Sequence, residues 1–310
     1  MKKYRNLILL IIFLLLVGLF FVLRRNEPKE RVVKIIDADS LAIAKIQIYN
    51  VADTVIVYKK DDTWLMSYPD KAAANMDMME YFFKDVFTAT YSETAMNEHA
   101  KSLHQYGLDK DKEVQLKLFD SNGKLLTHCR FGNTNNPFDY FRYGNSRKVY
   151  QVRSRAISGR LRPDANAWRS PIILSIKPFE LAGITVTHPK NSYVLTRDKT
   201  DWYYMDKNQQ FMIPHGNVTM GKILNTLEKL ESYRYSKASE IDKKSLKIAA
   251  EVVISLTSKG KHNLTFYKQG EDQYYLILDG DESRYYHMVL DQLYRFIRHA
   301  EVFNIQELPY

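Results

Sequence analysis

Apolar residues fall along this chain in two patterns, one unbroken run near the start and many short alternations after it. The run, Leu7 to Leu23, holds 17 residues without a charged or polar side chain. As a helix it reaches roughly 26 Å, just short of a ~30 Å hydrocarbon core. Lys2, Lys3 and Arg5 precede it and Arg24 and Arg25 follow, and such side chains can snorkel to headgroups and offset a small mismatch. A cleaved signal peptide fits less well, because its apolar region is shorter and no Ala-x-Ala pattern stands here. A lipoprotein is excluded, since the sole cysteine is Cys129. The pattern predicts an anchor over 1–25 and a charged stalk over 26–38. Flanking charges balance and do not decide the orientation. A short tail before a large domain is the layout of a signal anchor with its domain exported.

The alternations repeat. Residues 44–66 align without a gap on 182–204, an offset of 138, pairing Ile46 with Ile184, Ile48 with Val186, Val55 with Tyr193, Val57 with Leu195 and Trp64 with Trp202. Each copy reads as three short strands separated by polar turns, the second turn being Lys60-Asp61-Asp62 or Arg197-Asp198-Lys199. Packing on the sheet is the expected role of both tryptophans. A helix then follows in each copy. Asn75 caps one with Met79, Phe82, Phe83 and Val86 on a single face, and Asn217 caps one with the stripe Met220, Ile223, Leu227 and Leu230.

At the same offset Glu113-Val-Gln-Leu matches Glu251-Val-Val-Ile, and Gly132 falls on Gly270. Ser121-Asn122-Gly123-Lys124 and Ser258-Lys259-Gly260-Lys261 read as hairpin turns with glycine at positive φ. Strands follow at Tyr140–Tyr143 and Lys148–Val152, and at Tyr274–Leu278 and Arg284–Met288, with closing helices near Arg153–Gly159 and Val289–His299. The expected fold class is α+β: an N-terminal transmembrane helix followed by a tandem repeat of two similar modules, each a mainly antiparallel sheet with packed helices. The modules span 39–160 and 177–310, with a Pro163- and Pro171-marked connector over 161–176.

The strand-turn-strand-Trp opening, Tyr106-Gly107-Leu108-Asp109 before a strand, and Trp168-Arg169-Ser170-Pro171-Ile172-Ile173 resemble the family DUF4340, named for a domain of unknown function. The resemblance covers essentially the whole chain from the anchor onward. It implies a bacterial protein of the cytoplasmic membrane with its bulk outside, in the periplasm, working with ABC transporters of the gliding-motility type. It brings no catalytic residues. The second copy departs from the pattern, with Lys244-Ser245-Leu246-Lys247 where the first has Tyr-Gly-Leu-Asp.

Charge changes this picture little. Of a net +9, five positive charges lie in residues 1–25, leaving +4 over the remaining 285, a balance that does not call for nucleic acid. One cysteine permits no internal disulfide. None of the eight histidines forms a His-x-x-x-His pair, so ordinary zinc spacing is absent. His128 and Cys129 are adjacent on a strand and point to opposite faces, which opposes a Cys–His couple. No Gly-x-Ser-x-Gly elbow, Walker loop or dinucleotide fingerprint is present, and no cofactor is implied. The carboxylates Asp61, Asp62, Asp279, Asp281 and Glu282 sit in turns, where solvated charge is the ordinary role.

One run invites a binding role. Arg147, Lys148, Arg153, Arg155, Arg160, Arg162 and Arg169 bring seven basic residues into 23 positions, with Tyr140, Phe141, Tyr143 and Tyr150 nearby. Arginine grips carboxylate or phosphate through a two-pronged fork. A surface for lipid headgroups, an anionic envelope polymer or an acidic partner stands against a merely solvated face. The expected function is a non-enzymatic accessory or assembly component of an ABC-type transporter complex, with membrane and protein partners. The alternative is a module that captures an anionic envelope ligand.

Overall fold

A computed structural model describes residues 12–19, 31–132, 139–153, 157 and 161–305. Strands dominate. In the first copy they are β1 (Val32–Lys34), β2 (Lys45–Tyr49), β3 (Thr54–Lys60), β4 (Thr63–Tyr68), β5 (Ala72–Ala73), β6 (Thr90–Ser92), β7 (Val114–Phe119), β8 (Leu125–Gly132), β9 (Tyr140–Tyr143) and β10 (Tyr150–Gln151). The second copy has β11 (Ile172–Leu174), β12 (Leu181–Thr187), β13 (Tyr193–Asp198), β14 (Asp201–Met205), β15 (Gln210–Met212) and β16 (Leu230–Glu231). It continues with β17 (Tyr235–Lys237), β18 (Leu246–Leu256), β19 (Lys261–Gln269), β20 (Gln273–Leu278) and β21 (Arg284–Met288). The chain divides into two compact units, Met1–Thr63 with Met79–Pro163, and Trp64–Met78 with Asp164–Tyr310.

The same strand path occurs twice. One sheet runs β5-β4-β3-β2-β7-β8-β9-β10, and the other runs β15-β14-β13-β12-β18-β19-β20-β21 with β17 added at its edge. The small pair β1–β6 likewise corresponds to β11–β16. Period-two alternation fixes the register. Ile46 faces Val57 and Ile48 faces Val55, just as Ile184 faces Leu195 and Val186 faces Tyr193, and all eight are buried. At the central junction the copies slip by two residues. Ile48 faces Leu116, whereas Val186 faces Val252, two short of the constant offset. An even slip keeps every side chain on its own face, so it leaves the core intact.

The constant offset fails at the next hairpin. Val114 faces Phe131, 17 residues on, while its counterpart Val252 faces Leu264, only 12 on. Gly132 is therefore not the equivalent of Gly270, which lies in the turn between β19 and β20 at φ +61°. Gly123 takes positive φ as expected, but in the second hairpin Lys259 does so (φ +66°), and not Gly260.

The expected α+β class with packed helices is corrected by this structure, which is mostly antiparallel sheet. Among the described residues beyond 31, helices are few and short because the apolar stripes break. Asn75 does cap the first helix, accepting from the Asp77 and Met78 N–H groups. That helix, α1 (Met76–Tyr81), passes into a π turn over Phe82–Val86. A four-residue turn, α2 (Ala165–Trp168), lies in the connector region, capped by Asp164. The longest described helix, α3 (Val218–Glu228), holds 11 residues capped by Asn217. Lys229 leaves helical geometry, so Leu230, the last residue of the expected stripe, is buried from strand β16 instead. Val289–His299 is not one helix but α4 (Leu290–Tyr294) and a turn, with α5 (Ala300–Phe303) beginning just beyond. Of Arg153–Gly159, all but Arg153 and Ile157 lies outside the described residues.

The expected transmembrane helix is corrected as well. Of Leu7–Leu23, residues 12–19 are described and helical, and the remainder lies outside the described residues. No described helix is long and apolar enough to cross a membrane. Within the expected stalk, Val32–Lys34 is a strand paired with Thr90–Ser92, and Ile35 and Ile36 are buried.

Candidate functional site

The basic run falls partly on each of the two units and partly outside the described residues. Arg147 and Lys148 are exposed just before β10, and Lys148 Nζ lies 2.7 Å from Glu98. Arg153 and Arg162 are exposed, and Arg155 and Arg160 lie outside the described residues. Arg169 belongs to the second unit and its side chain is only 12% exposed.

Arg169 is the hub of a closed polar cluster. Its Nη2 donates to Asp70 Oδ1 (2.7 Å) and to the Tyr235 hydroxyl (3.1 Å), and its Nη1 donates to Asn166 Oδ1 (2.9 Å). The guanidinium also sits 4.0 Å from the Tyr235 ring centre, and Tyr235 donates its hydroxyl to Asp70. Burial opposes ionisation of Asp70, but the hydrogen bonds from Tyr235 and Arg169 and the Arg169 charge prevail and hold its carboxyl below the ordinary range. Burial, reinforced by Asp70, pushes the Tyr235 phenol up to about 12. An ionised acid, a neutral phenol and a cation thus satisfy one another. Flanking backbone bonds, Asn75 N–H to Trp168 C=O and Ser170 N–H to Ala73 C=O, join the two segments that carry Asp70 and Arg169. This arrangement fastens the Trp168-Arg169-Ser170 stretch in place and leaves no group activated for catalysis.

A second cluster lies in the first unit, and the sequence reading missed it. Arg130 on β8 and Arg142 on β9 stand directly opposite each other, a placement that repels unless an anion intervenes. Glu113, 1% exposed, supplies it: Oε1 accepts from Arg130 at 2.5 Å and Oε2 from Arg142 at 3.1 Å. Gln115 extends the row, donating to Glu113 and accepting from the Tyr49 hydroxyl. The available signal was the comparison between copies. Gln115 faces Arg130, but its counterpart Val253 faces Asn263, so the second sheet lacks the arginine.

Beside this row, His128 Nε2 lies 3.1 Å from Gln115 Oε1. Burial, together with the charges of Lys117, Arg130 and Arg142, lowers its pKa from 6.5 to about 4. The unfolded chain therefore binds a proton that the folded chain refuses between those two values. Stability is expected to fall as pH drops from 6.5 towards 4 and to lose no more on this account below 4. Burial lowers His188 and His287 too, so His128→Gln should flatten part of the slope in thermal midpoints measured across this range.

Cys129 occupies the opposite face from His128 and is fully buried, and burial pushes its thiol up to about 12. A thiolate is the reactive species, so this side chain is packing material. Native protein should resist iodoacetamide, and labelling should become complete in denaturant. Rapid native labelling would show the strand to be open.

The turn carboxylates also serve locally. Asp279 accepts from the Asn263 N–H, Asp281 from Ser283, and Asp62 pairs with Lys59. No group of three His, Cys, Asp or Glu side chains fit to hold a metal occurs among the described residues. In the second unit, a groove of about 630 Å³ opens between the β12–β13 and β14–β15 turns and the start of α5, lined by His188, Lys190, Asn191, Asp206, Lys207 and His299 among others.

The family stretches now have physical roles. Gly107, at φ +65°, ends the His104–Tyr106 turn, and Leu108 is buried against Ala100 and Val149. In the second copy a turn over Lys243–Ser245 leads into β18 in the same way. A family model for a domain of unknown function, DUF4340, matches residues 64–250. The chain belongs to the DUF4340 family. The match takes in both the Tyr106-Gly107-Leu108-Asp109 and Trp168–Ile173 stretches and excludes the first strand-turn-strand and the N-terminal apolar run. No curated protein and no solved structure matches this DUF4340 chain.

Proposed function

We propose that this DUF4340 protein is a non-enzymatic accessory or assembly component of an ABC-type transporter complex, held at the bacterial cytoplasmic membrane with its sheets on the outer side. One observation carries the protein-contact reading. Segments that touch through backbone and side-chain bonds, His287 N–H to Arg234 C=O and Gln292 to Glu231 C=O, present Tyr233, Val289 and Tyr294 at 68%, 62% and 48% exposure. Exposed aromatic and aliphatic side chains grouped in this way favour binding to another protein. The two polar clusters support the same reading, since Asp70 is bound to Arg169, and Glu113 separately to Arg130 and Arg142. The family resemblance supports both the membrane location and the transporter.

The test is photo-crosslinking in cells from a benzophenone side chain placed at Tyr233, Val289 or Tyr294, with Lys199 as a remote turn position. Adducts to transporter subunits from the first three positions alone are the expected result. Uniform labelling, or adducts to no protein at all, would remove the support for this surface.

A further inference from the structure

The chemistry least accounted for in this molecule lies in the second unit, in a cleft of about 340 Å³ beside α3 and the chain around and beyond α4, lined by Lys222, Asn225, Asp291, Arg295 and Arg298. Lys222 and Asn225 are three residues apart on α3 and so share a helix face. Arg295 is already engaged. Its Nε and Nη2 bond Asp291 Oδ2 at 3.1 and 2.8 Å, and its Nη1 donates to Thr226 Oγ1 at 3.0 Å. The one carboxylate of the cleft is thereby committed to one of three cations.

Lys222 and Arg298 have no carboxylate among the described residues. Arg298 is the telling member. Four described arginines, Arg130, Arg142, Arg169 and Arg298, have a buried Nε without an acceptor. In the first three the terminal nitrogens bind a carboxylate, which offsets the desolvation. Arg298 has no such carboxylate among the described residues, and it is half-buried with its Nε shielded from water. Lys222 is exposed and Arg298 half-buried, and both line the same open cleft, so two positive charges without a carboxylate partner face one concave surface that an anion can enter.

We propose that this cleft binds a phosphate group. A phosphomonoester carries about −1.5 to −2 charges near neutral pH, matching the two free cations, and offers several acceptors. Arg298 would supply a guanidinium fork, Lys222 a point charge, and Asn225 an amide donor. Arg295 stays held by Asp291 and Thr226 at the rim of the cleft. The volume admits a headgroup-sized ligand, so the phosphate can be free, on a small metabolite, or on a lipid. This goes beyond the assembly reading and needs none of the residues used for it.

The experiment is calorimetric titration of the full chain in neutral detergent with inorganic phosphate. It is paired with flotation on phosphatidylcholine vesicles with and without phosphatidic acid, whose headgroup is a phosphomonoester. Lys222→Gln is the main variant because Lys222 is exposed and its loss leaves the packing untouched. Arg298→Lys tests the fork, and Lys229→Gln on the same helix, where Lys229 pairs with Glu231, is the control. Lys222→Gln should weaken phosphate binding about tenfold, the value of one charge-assisted hydrogen bond, with Lys229→Gln unchanged. Binding to phosphatidic acid vesicles alone, lost in Lys222→Gln, would keep the site and identify a lipid headgroup as the source of the phosphate. Absence of binding to both probes, or binding indifferent to Lys222 and Arg298, overturns the proposal. Partner capture plays no part in either assay, so this proposal and the assembly reading fail separately.

Discussion

Glu113→Ala should destabilise the folded protein by about 3–5 kcal/mol, because it strands two arginines in a region where burial was tolerable only beside a carboxylate. Arg142 is itself only 8% exposed and stands opposite Arg130, so the loss leaves repulsion as well as desolvation. The internal control is Glu251→Ala. Glu251 matches Glu113 at the repeat offset but is exposed on β18, and its replacement should change stability by no more than about 0.5 kcal/mol. Urea unfolding followed by tryptophan fluorescence measures both. Equal, small effects would mean that the Glu113 cluster is open to water. Glu113→Gln should fall between, since an amide keeps an acceptor but no charge.

Gly132→Ala should cost more than about 3 kcal/mol, for a reason of close backbone approach. A Cβ at this position would stand 1.9 Å from the Tyr106 carbonyl oxygen and 3.2 Å from the Gly107 carbonyl carbon. Backbone cannot rotate away as a side-chain tip can, so the turn that leads into β7 would have to move. Gly270→Ala separates this cause from ordinary glycine strain. Gly270 has open space around its missing Cβ and φ +61°, so only the left-handed conformation opposes alanine, at about 1 kcal/mol. Denaturant midpoints of the two variants should therefore differ widely. A milder effect at Gly132 than at Gly270 would show that the Tyr106-Gly107 turn does not pack on β8.

These two pairs also show what could be read from sequence. Strand positions were legible, because alternation with a period of two marks which residues face the core, and Ile46, Ile48, Ile184 and Val186 are all buried as the repeat implied. The helices were not. Apolar spacing at Phe82 and Phe83 suits an α stripe, yet the chain widens there into a π turn, and Leu230 serves its stripe from a strand. The offset itself misled beyond β7, since a hairpin five residues shorter displaces every later match, Gly132 with Gly270 among them. Alternation says that a residue points inward but not which charge waits there. Glu113 and Glu251 look equivalent until Arg130 and Arg142 are found on neighbouring strands. Of the seven basic positions singled out, Arg169 has a defined structural role, and its partners Asp70 and Tyr235 are 99 and 66 residues away in sequence. The cleft of Lys222, Arg295 and Arg298 is assembled from residues up to 76 positions apart, with no local motif to mark it.

The central claim is that this DUF4340 chain acts by assembly with a membrane transporter. The most direct measurement is affinity purification of the full-length chain from detergent-solubilised membranes at its natural abundance, followed by native mass determination of what is eluted. A discrete complex containing transporter ATPase and membrane subunits in fixed stoichiometry is the predicted result. A chain that elutes alone, or with proteins in no constant ratio, would contradict the account.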